Sequence, residues 1–424
     1  MAAGDPADGR AGDPAGDPAA DPARDPAAAR VAAALGPWRD RVARYGLAAG
    51  AVLALAWVAH AVSIVVQVNA EGFDGAAIRL EFVSFWAAAK LLLAGEAVSA
   101  FDPDVLRAAQ SLASDAPPGD LLWHYGAAFH LMIAPFGLLP FSVGYIVFVL
   151  VSWSAFALAV RGPARVIPGG FGWVALGPAV FIACMLGINS VLWAAGLVAA
   201  VLALRARREV AAGLLIALLT LKPQLGLLVP FSLAAGGHWR AVLWAVIGTM
   251  VVNGAGWAVL GLDHFEQFLL WLANVSELMD RGLVRFGRMM TWAAVLRLGG
   301  VEPGPVMAVQ VAFSLAAAGA IAWVWTRRRA DGAPLWDLRA AALLIATPLA
   351  TPYAYHYEMI VSLAGLMFLV RDGFGARPWE RVLLVLLWLG PLPGIALLEL
   401  VPPAVYAAPL QTLGLAVCVW RARR

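Results

Sequence analysis

A multi-pass, all-α membrane protein is the fold class that this sequence predicts, on three observations. Apolar residues fill 62% of its 424 positions and charged residues only 13%, where a soluble domain carries about 25% charge; no water-soluble packing covers that much apolar surface. The apolar runs are long, uncharged and without strict alternation, so each satisfies its backbone as a helix, and an outer-membrane barrel is disfavoured. Arginine clusters separate the runs, as cytoplasmic loops require. The formal charge of +3 is too small to imply a nucleic-acid partner. Cys184 and Cys418 both lie inside apolar runs and read as small hydrophobes, not as a disulfide or zinc framework.

Residues 1–35 repeat Asp-Pro-Ala, and proline at that density forbids regular hydrogen bonding. They read as a disordered cytoplasmic tail without the apolar core of a signal peptide. Residues 36–424 form the membrane domain. Arg39, Arg41 and Arg44 precede the run Leu47 to Val68, which is long enough to span a hydrocarbon core of roughly 30 Å. The positive-inside bias puts the N-terminus in the cytoplasm and the following loop, about 69–139 with Glu81 in it, outside.

The later basic clusters fix the rest by parity. They stand at Arg161 and Arg165, at Arg205 to Arg208, at His238 and Arg240, at Arg327 to Arg329, at Arg371 to Arg381 and at Arg421 to Arg424. If all face the cytoplasm, Leu122 to Leu139 does not cross and lies in the outer leaflet. For the same reason "AAGLLIALLTLKPQLGLLVPFSLAAG" is a hairpin of two short helices broken at Lys222-Pro223. About twelve crossings result, near 47–68, 141–160, 171–187, 190–205, 210–222, 224–236, 240–260, 304–326, 337–350, 358–370, 381–398 and 403–420. The C-terminus is then cytoplasmic as well. Asp102 and Asp104 flank Pro103 and cap a helix that continues to Ala113.

The polar tips left over collect on the outer face: the first loop, "GINS" at Gly187, "KPQ" at Lys222, the second long loop of about 261–303, and "TPYAYHYE" from Thr351. Ionisable groups gathered at one end of a helical bundle suggest a site there.

Four segments, "EFVSFWAAAKLLLAGEAVSAFDP", "WHYGAAFHLMIAPFGLLP", "LKPQLGLLVPFSLAAGGHWRA" and "ATPYAYHYE", resemble in this order the motifs of glycosyltransferase family 87. The resemblance covers about residues 45 to 370, and Lys-Pro-Gln-Leu-Gly is its most distinctive piece. It implies a GT-C-type bundle in the cell (inner or plasma) membrane that moves a hexose or pentose, mannose first, from a polyprenyl-phosphate donor to a lipid or glycan acceptor. It implies an extracytoplasmic active site, with inversion at the anomeric carbon. The family's acid in the first loop is usually Asp; here the position is Glu81.

That chemistry needs a base for the acceptor hydroxyl and cations for the departing phosphate. Glu81 is the candidate base, against the reading of a solvated charge near Arg79 on an interfacial helix. Lys222, one of two lysines in the chain, suits a phosphate oxygen, with Gln224 beside it; the alternative is a lysine that snorkels to the headgroups. His356, Arg285 and Arg288 are further candidates for the donor phosphate, against an aromatic belt for the first and lipid headgroups for the arginines. Trp86, Asn189, Tyr353 and Glu358 are candidate substrate contacts, Glu358 also being placed to hold His356 in one tautomer. Asn189 stands in "GINS" where relatives commonly have Gly-Gln-Asn. No metal and no cofactor is called for, because the nearest Asp-x-Asp, Asp102-Pro103-Asp104, is explained by its helix start. The competing class is a transporter or lipid flippase, which would carry ionisable groups at the midplane on halves that resemble each other. No such internal repeat is evident here.

Overall fold

Helices carry the chain from end to end in the computed structural model, which describes residues 25–69, 80–113, 121–280, 286–396 and 401–424. Among the described residues no strand forms; Met289 with Tyr355 and Arg328 with Pro334 make isolated bridges. The first helix corrects the sequence reading. α1 (Pro26–Leu35) occupies the end of the segment expected to be disordered, and residues 1–24 lie outside the described residues. Its cause is local: the Asp25 carboxylate accepts the Ala27 N–H at 2.9 Å, Pro26 stands in the first turn, and alanines of high helix propensity follow.

α2 (Arg39–Asn69) contains the first expected crossing. The first outer loop folds into α3 (Phe82–Leu93), α4 (Pro103–Gln110) and α5 (Ala127–Ile133). Asp102 caps α4 as the sequence predicts, accepting from the N–H groups of Asp104 and Val105. α5 passes into a 3-10 turn at Ala134–Leu138 and is too short to cross. Long α6 (Phe141–Ala164) follows, then α7 (Gly170–Ala175) and α8 (Pro178–Leu186), which a proline opens, α9 (Ser190–Arg205), and the broken pair α10 (Glu209–Leu219) and α11 (Val229–Gly236). A 3-10 turn at Pro223–Gly226 makes the break where Lys222-Pro223 predicts it.

After α12 (Trp239–Leu260), the stretch read as a long loop holds α13 (Leu262–Asp280) and α14 (Trp292–Leu298). The chain ends with α15 (Pro303–Thr326), α16 (Trp336–Ala346), α17 (Met359–Arg371), α18 (Pro378–Leu389), α19 (Pro393–Ala396) and α20 (Pro403–Ala422). The crossing read from residue 358 starts as a helix at Met359, which leaves Glu358 in the preceding turn. Among the described residues five stretches, those containing α2, α6, α12, α15 and α20, are long and apolar enough to cross a membrane. Of these, the apolar windows of α2 and α12 are only 17% and 11% buried, so they present most of their surface to lipid. The chain is a multi-pass helical membrane protein.

Three helices fix the ends of the bundle. α6, α9 and α17 each end in a common ionic network, and α9 and α17 start from turns that meet at the opposite end. At about 1.5 Å per residue, they hold the two ends roughly 20–35 Å apart. In the network, Arg371 donates to Asp25 at 2.8 Å, to Asp337 at 3.0 Å and to the Pro163 carbonyl at 2.8 Å. Asp337 also receives Arg30 at 2.6 Å and faces Arg205 at 3.5 Å. Beside it, Asp372 pairs with Arg421 at 2.8 Å and Arg329 at 3.4 Å. The basic clusters that parity assigns to one face therefore meet in space. A carboxylate shared by three guanidinium groups is neutralised where a lone one costs several kcal/mol.

Asp337→Ala should consequently lower stability by roughly 3–5 kcal/mol, since it strands buried arginines. Asp104→Ala, which removes an exposed pair with Arg107, should change it by less than about 0.5 kcal/mol. Thermal unfolding of the two variants in detergent checks this, and equal shifts would show that the network holds nothing together.

Candidate active site

The bundle end opposite the network is built from turns. Lys222 precedes Pro223, and the proline ring bars the residue before it from helical geometry; Lys222 accordingly has φ −139° and ψ 72°. That bend sends the side chain inward, where it is 4% exposed, so it does not snorkel. Its Nζ donates to Ser190 Oγ at 3.1 Å and to Asn189 Oδ1 at 3.5 Å, forms an ion pair with Glu358, and lies 5.6 Å from the centre of the Tyr357 ring.

Asn189 stands where a helix cap belongs, directly before α9, yet its side chain makes no cap bond. Its carbonyl accepts from Lys222 and from the Tyr125 hydroxyl, the latter at 3.5 Å. Gly187, two residues earlier, is needed twice over. It ends α8 at φ +65°, and a Cβ there would come within 2.7 Å of Phe82 Cβ. That close approach brings the Asn189 turn against the start of α3, where Glu81 is.

Glu358 ends the 3-10 turn His356–Glu358 and is fully buried. One oxygen meets Lys222; the other accepts the Tyr355 N–H at 3.1 Å. Burial pushes this carboxyl above the usual carboxylate range, and the Lys222 ammonium opposes that push. Glu81, directly before α3, is half-buried. Its carboxyl is likewise pushed up by burial and by the negative charge of Glu358, and pulled down by Lys222 and Arg288. Two carboxylates and two cations thus share one electrostatic neighbourhood.

The second long loop contributes Arg288, on a 3-10 turn at Phe286–Arg288. The Met290 N–H donates to the Ala354 carbonyl at 2.8 Å and ties this segment to the Tyr355 turn. His356 Nδ1 donates to the Arg288 carbonyl at 3.2 Å. Burial and the Arg288 charge lower the His356 pKa to about 4, so the ring is neutral at physiological pH. It can serve a phosphate only as a neutral group.

Two residues of the motif that begins "WHYG" also belong to this cluster. Tyr125 is buried, and Glu81 and Glu358 both raise its hydroxyl pKa. His124 stacks between Tyr125 at 4.2 Å and Trp271 of α13 at 5.3 Å, and burial and Lys222 lower its pKa to about 4. The signal that could have found them is "WHYG", polar aromatics directly before a short helix in an outer loop.

Other candidates sit elsewhere. The Trp86 indole donates to the Leu139 carbonyl at 3.0 Å and packs edge-on against Phe141, so it is a packing residue of α3. Tyr353 packs with Met289, Ala294 and Ala404. Gln224 is half-buried on the turn after Lys222, with no hydrogen bond into the cluster among the described residues. Arg285 and Arg79 lie outside the described residues. Among the described residues no three His, Cys, Asp or Glu side chains converge as metal ligands.

Chemically the arrangement offers a partly accessible carboxylate of raised proton affinity facing an ammonium and a guanidinium. Such a site can bind an anion and accept a proton beside it. The family model of glycosyltransferase family 87 matches residues 123–352, more than half of the chain. Asn189, Lys222 and Arg288 fall inside the match; Glu81, His356 and Glu358 fall outside. No curated protein and no solved structure gives a match.

Lys222→Met should cost about 3–5 kcal/mol of stability at neutral pH, because Glu358 loses its counter-charge in a buried place. The loss should shrink as pH falls, since the buried carboxyl has its pKa raised and its protonated form needs no ammonium. Lys222→Met combined with Glu358→Leu should recover most of the loss. Unfolding temperatures of the single and double variants across pH check the pairing, and additive losses would refute it.

Proposed function

The chain belongs to glycosyltransferase family 87, and from that premise we propose that it transfers a sugar, mannose first, from a polyprenyl-phosphate donor to a lipid or glycan acceptor. The carrier reading loses its ground with the family. The observation that carries the proposal is that Glu81 sits within the fields of Lys222 and Arg288 at one end of the bundle. An acceptor hydroxyl attacks the anomeric carbon while the lipid phosphate departs from the opposite side, so the sugar inverts. The hydroxyl needs a base on one side and the phosphate needs cations on the other.

In this reading Glu81 takes the hydroxyl proton. Lys222 and Arg288 hold the phosphate, with Gln224, His356 as a neutral group, and Arg285 in supporting places. Asn189 positions Lys222, and Tyr353 lines the approach to the turn. Trp86, spent on packing, has no part. In the same reading the end with the ionic network and α1 is the cytoplasmic one, and the site lies at the extracytoplasmic face of the cell membrane in a bundle of about twelve crossings, several of them of half length. Both termini are then cytoplasmic. The arginine clusters that meet in the network support that orientation.

Cysteine labelling in intact cells checks the orientation, with Cys184 and Cys418 buried and silent. Asp104→Cys should react with an impermeant reagent from outside and Arg377→Cys only after permeabilisation; reaction of both from one side would defeat the parity argument.

Purified protein given labelled polyprenyl-phosphate sugars and membrane lipid extract should yield one labelled lipid or glycan. Glu81→Gln keeps size and polarity but takes no proton, so turnover should fall by about 10²–10⁴-fold with donor affinity near wild type. Glu81→Asp should keep more activity than Gln. Because a base works ionised and burial raises the Glu81 pKa, the acid limb of the rate profile should lie above the ordinary carboxylate range. Full activity of Glu81→Gln would move the base elsewhere.

A further inference from the structure

The ammonium that the donor phosphate needs is already occupied. Glu358 holds Lys222 from a fully buried position, and the other partners of Nζ, Ser190 and Asn189, are neutral. A phosphodiester that joined the pair without displacing anything would crowd a third acidic group, beside Glu358 and Glu81, onto the two cations Lys222 and Arg288. Like charges in a low dielectric do not coexist on those terms. One of them must move or be neutralised.

We propose that Glu358 is the resting occupant of the phosphate site: the donor's phosphate displaces it from Lys222, and it leaves the pair as a neutral carboxylic acid, one proton being taken up per donor bound. The inference rests on the reading of Lys222 as a donor-phosphate contact.

The groups around the pair support protonation over migration to a second cation. From its own turn Glu358 meets Tyr355 and Tyr357, whose hydroxyls stay protonated, and neutral His356. From the segment before α5 come Tyr125 and neutral His124, and from the start of α3 comes Glu81, itself of raised proton affinity. Lys222 is the cation whose charge acts on Glu358, whereas the charge of Arg288 acts on Glu81. Once a phosphate claims Lys222, the push of burial on the Glu358 carboxyl is opposed by the Tyr355 N–H and no longer by the full ammonium charge. The acid form keeps an oxygen to accept the Tyr355 N–H. Departure of the lipid phosphate after transfer lets the carboxylate ionise and reclaim Lys222.

The test uses the full chain in detergent and a polyprenyl methyl phosphate, a diester of fixed single charge, because a phosphate monoester titrates near neutrality and would confuse the count. Calorimetric titration in two buffers of different protonation enthalpy should give about one proton taken up per diester bound. Affinity should fall about tenfold for each pH unit on the alkaline side. Glu358→Gln, which keeps an acceptor for Tyr355, should bind about tenfold or more tightly, without proton uptake or pH dependence. Should that variant fail to fold, the wild-type proton count decides alone. Binding without proton uptake would overturn the inference and show the carboxylate moving intact, to Arg288 or to water. No binding by the wild type at any pH would remove the donor-phosphate reading itself, and this inference with it.

Discussion

A hydrocarbon layer admits no unpaired polar group, and that constraint sorts the side chains of this protein to the ends of its helices. The consequence is two polar ends with an apolar middle. At one end charge is paired for good: Asp25, Asp337 and Asp372 are each shared among arginines that come from distant parts of the chain. At the other end the helices are interrupted, and the interruptions supply the chemistry. The turn before α9, the turn after α10 and the turn before α17 meet around one lysine. Each turn exposes polar groups that a continuous helix would have kept for its own backbone. An end made of ties and an end made of breaks suit an enzyme whose site must open to lipid-borne substrates while its frame stays fixed.

The pair at the centre of the breaks is a poor investment in stability and a good one in positioning. Desolvating both ions offsets much of their attraction, so a buried ion pair contributes little net free energy against well-packed apolar residues. What it does is fix places. Lys222 reaches Asn189, Ser190 and Glu358 only if three turns, separated by more than a hundred residues, sit together. Gly187 against Phe82 adds the fourth element, α3. A cluster assembled so depends on the whole bundle, which is why its members come from both inside and outside the stretch that the family shares.

Much of this was legible because the membrane constrains the reading. Parity of arginine clusters asks for a segment at 122–139 that does not cross and a broken hairpin at Lys222-Pro223; the fold has a short helix with a 3-10 turn in the first and the break in the second. Lys222 stood out because lysine is rare in this chain. Other features were not legible, each for a physical reason. The Asp-Pro-Ala repeat conceals α1, because its last Asp-Pro, read with the others as a sign of disorder, caps a helix where alanines follow it. α13 carries enough Asp, Glu and Gln to pass for a loop, and its helical form is fixed by packing that places Trp271 on His124. Trp86 looked like a substrate contact from its place in a motif, yet its helix is apolar all round and buried. The bond between Lys222 and Glu358 joins turns that six helices separate in the chain, and nothing local announces it.

The two carboxylates of the site differ in one respect that assigns their work. Both have raised proton affinity, but Glu81 retains access to water while Glu358 is sealed and already bonded on both oxygens. On the proposed reading a base must meet the acceptor hydroxyl and afterwards lose the proton it took, and of the two residues Glu81 is the one that is not fully buried. A group that only offsets charge needs no route during chemistry, merely a cation to hold or a proton to carry. Environments that separate two like groups in this way divide acid-base roles between them. On that proposal the longer side chain at position 81 has a use: it would carry the base from the start of α3 toward the cations, while the sealed carboxylate would keep their charge in balance until a phosphate arrives.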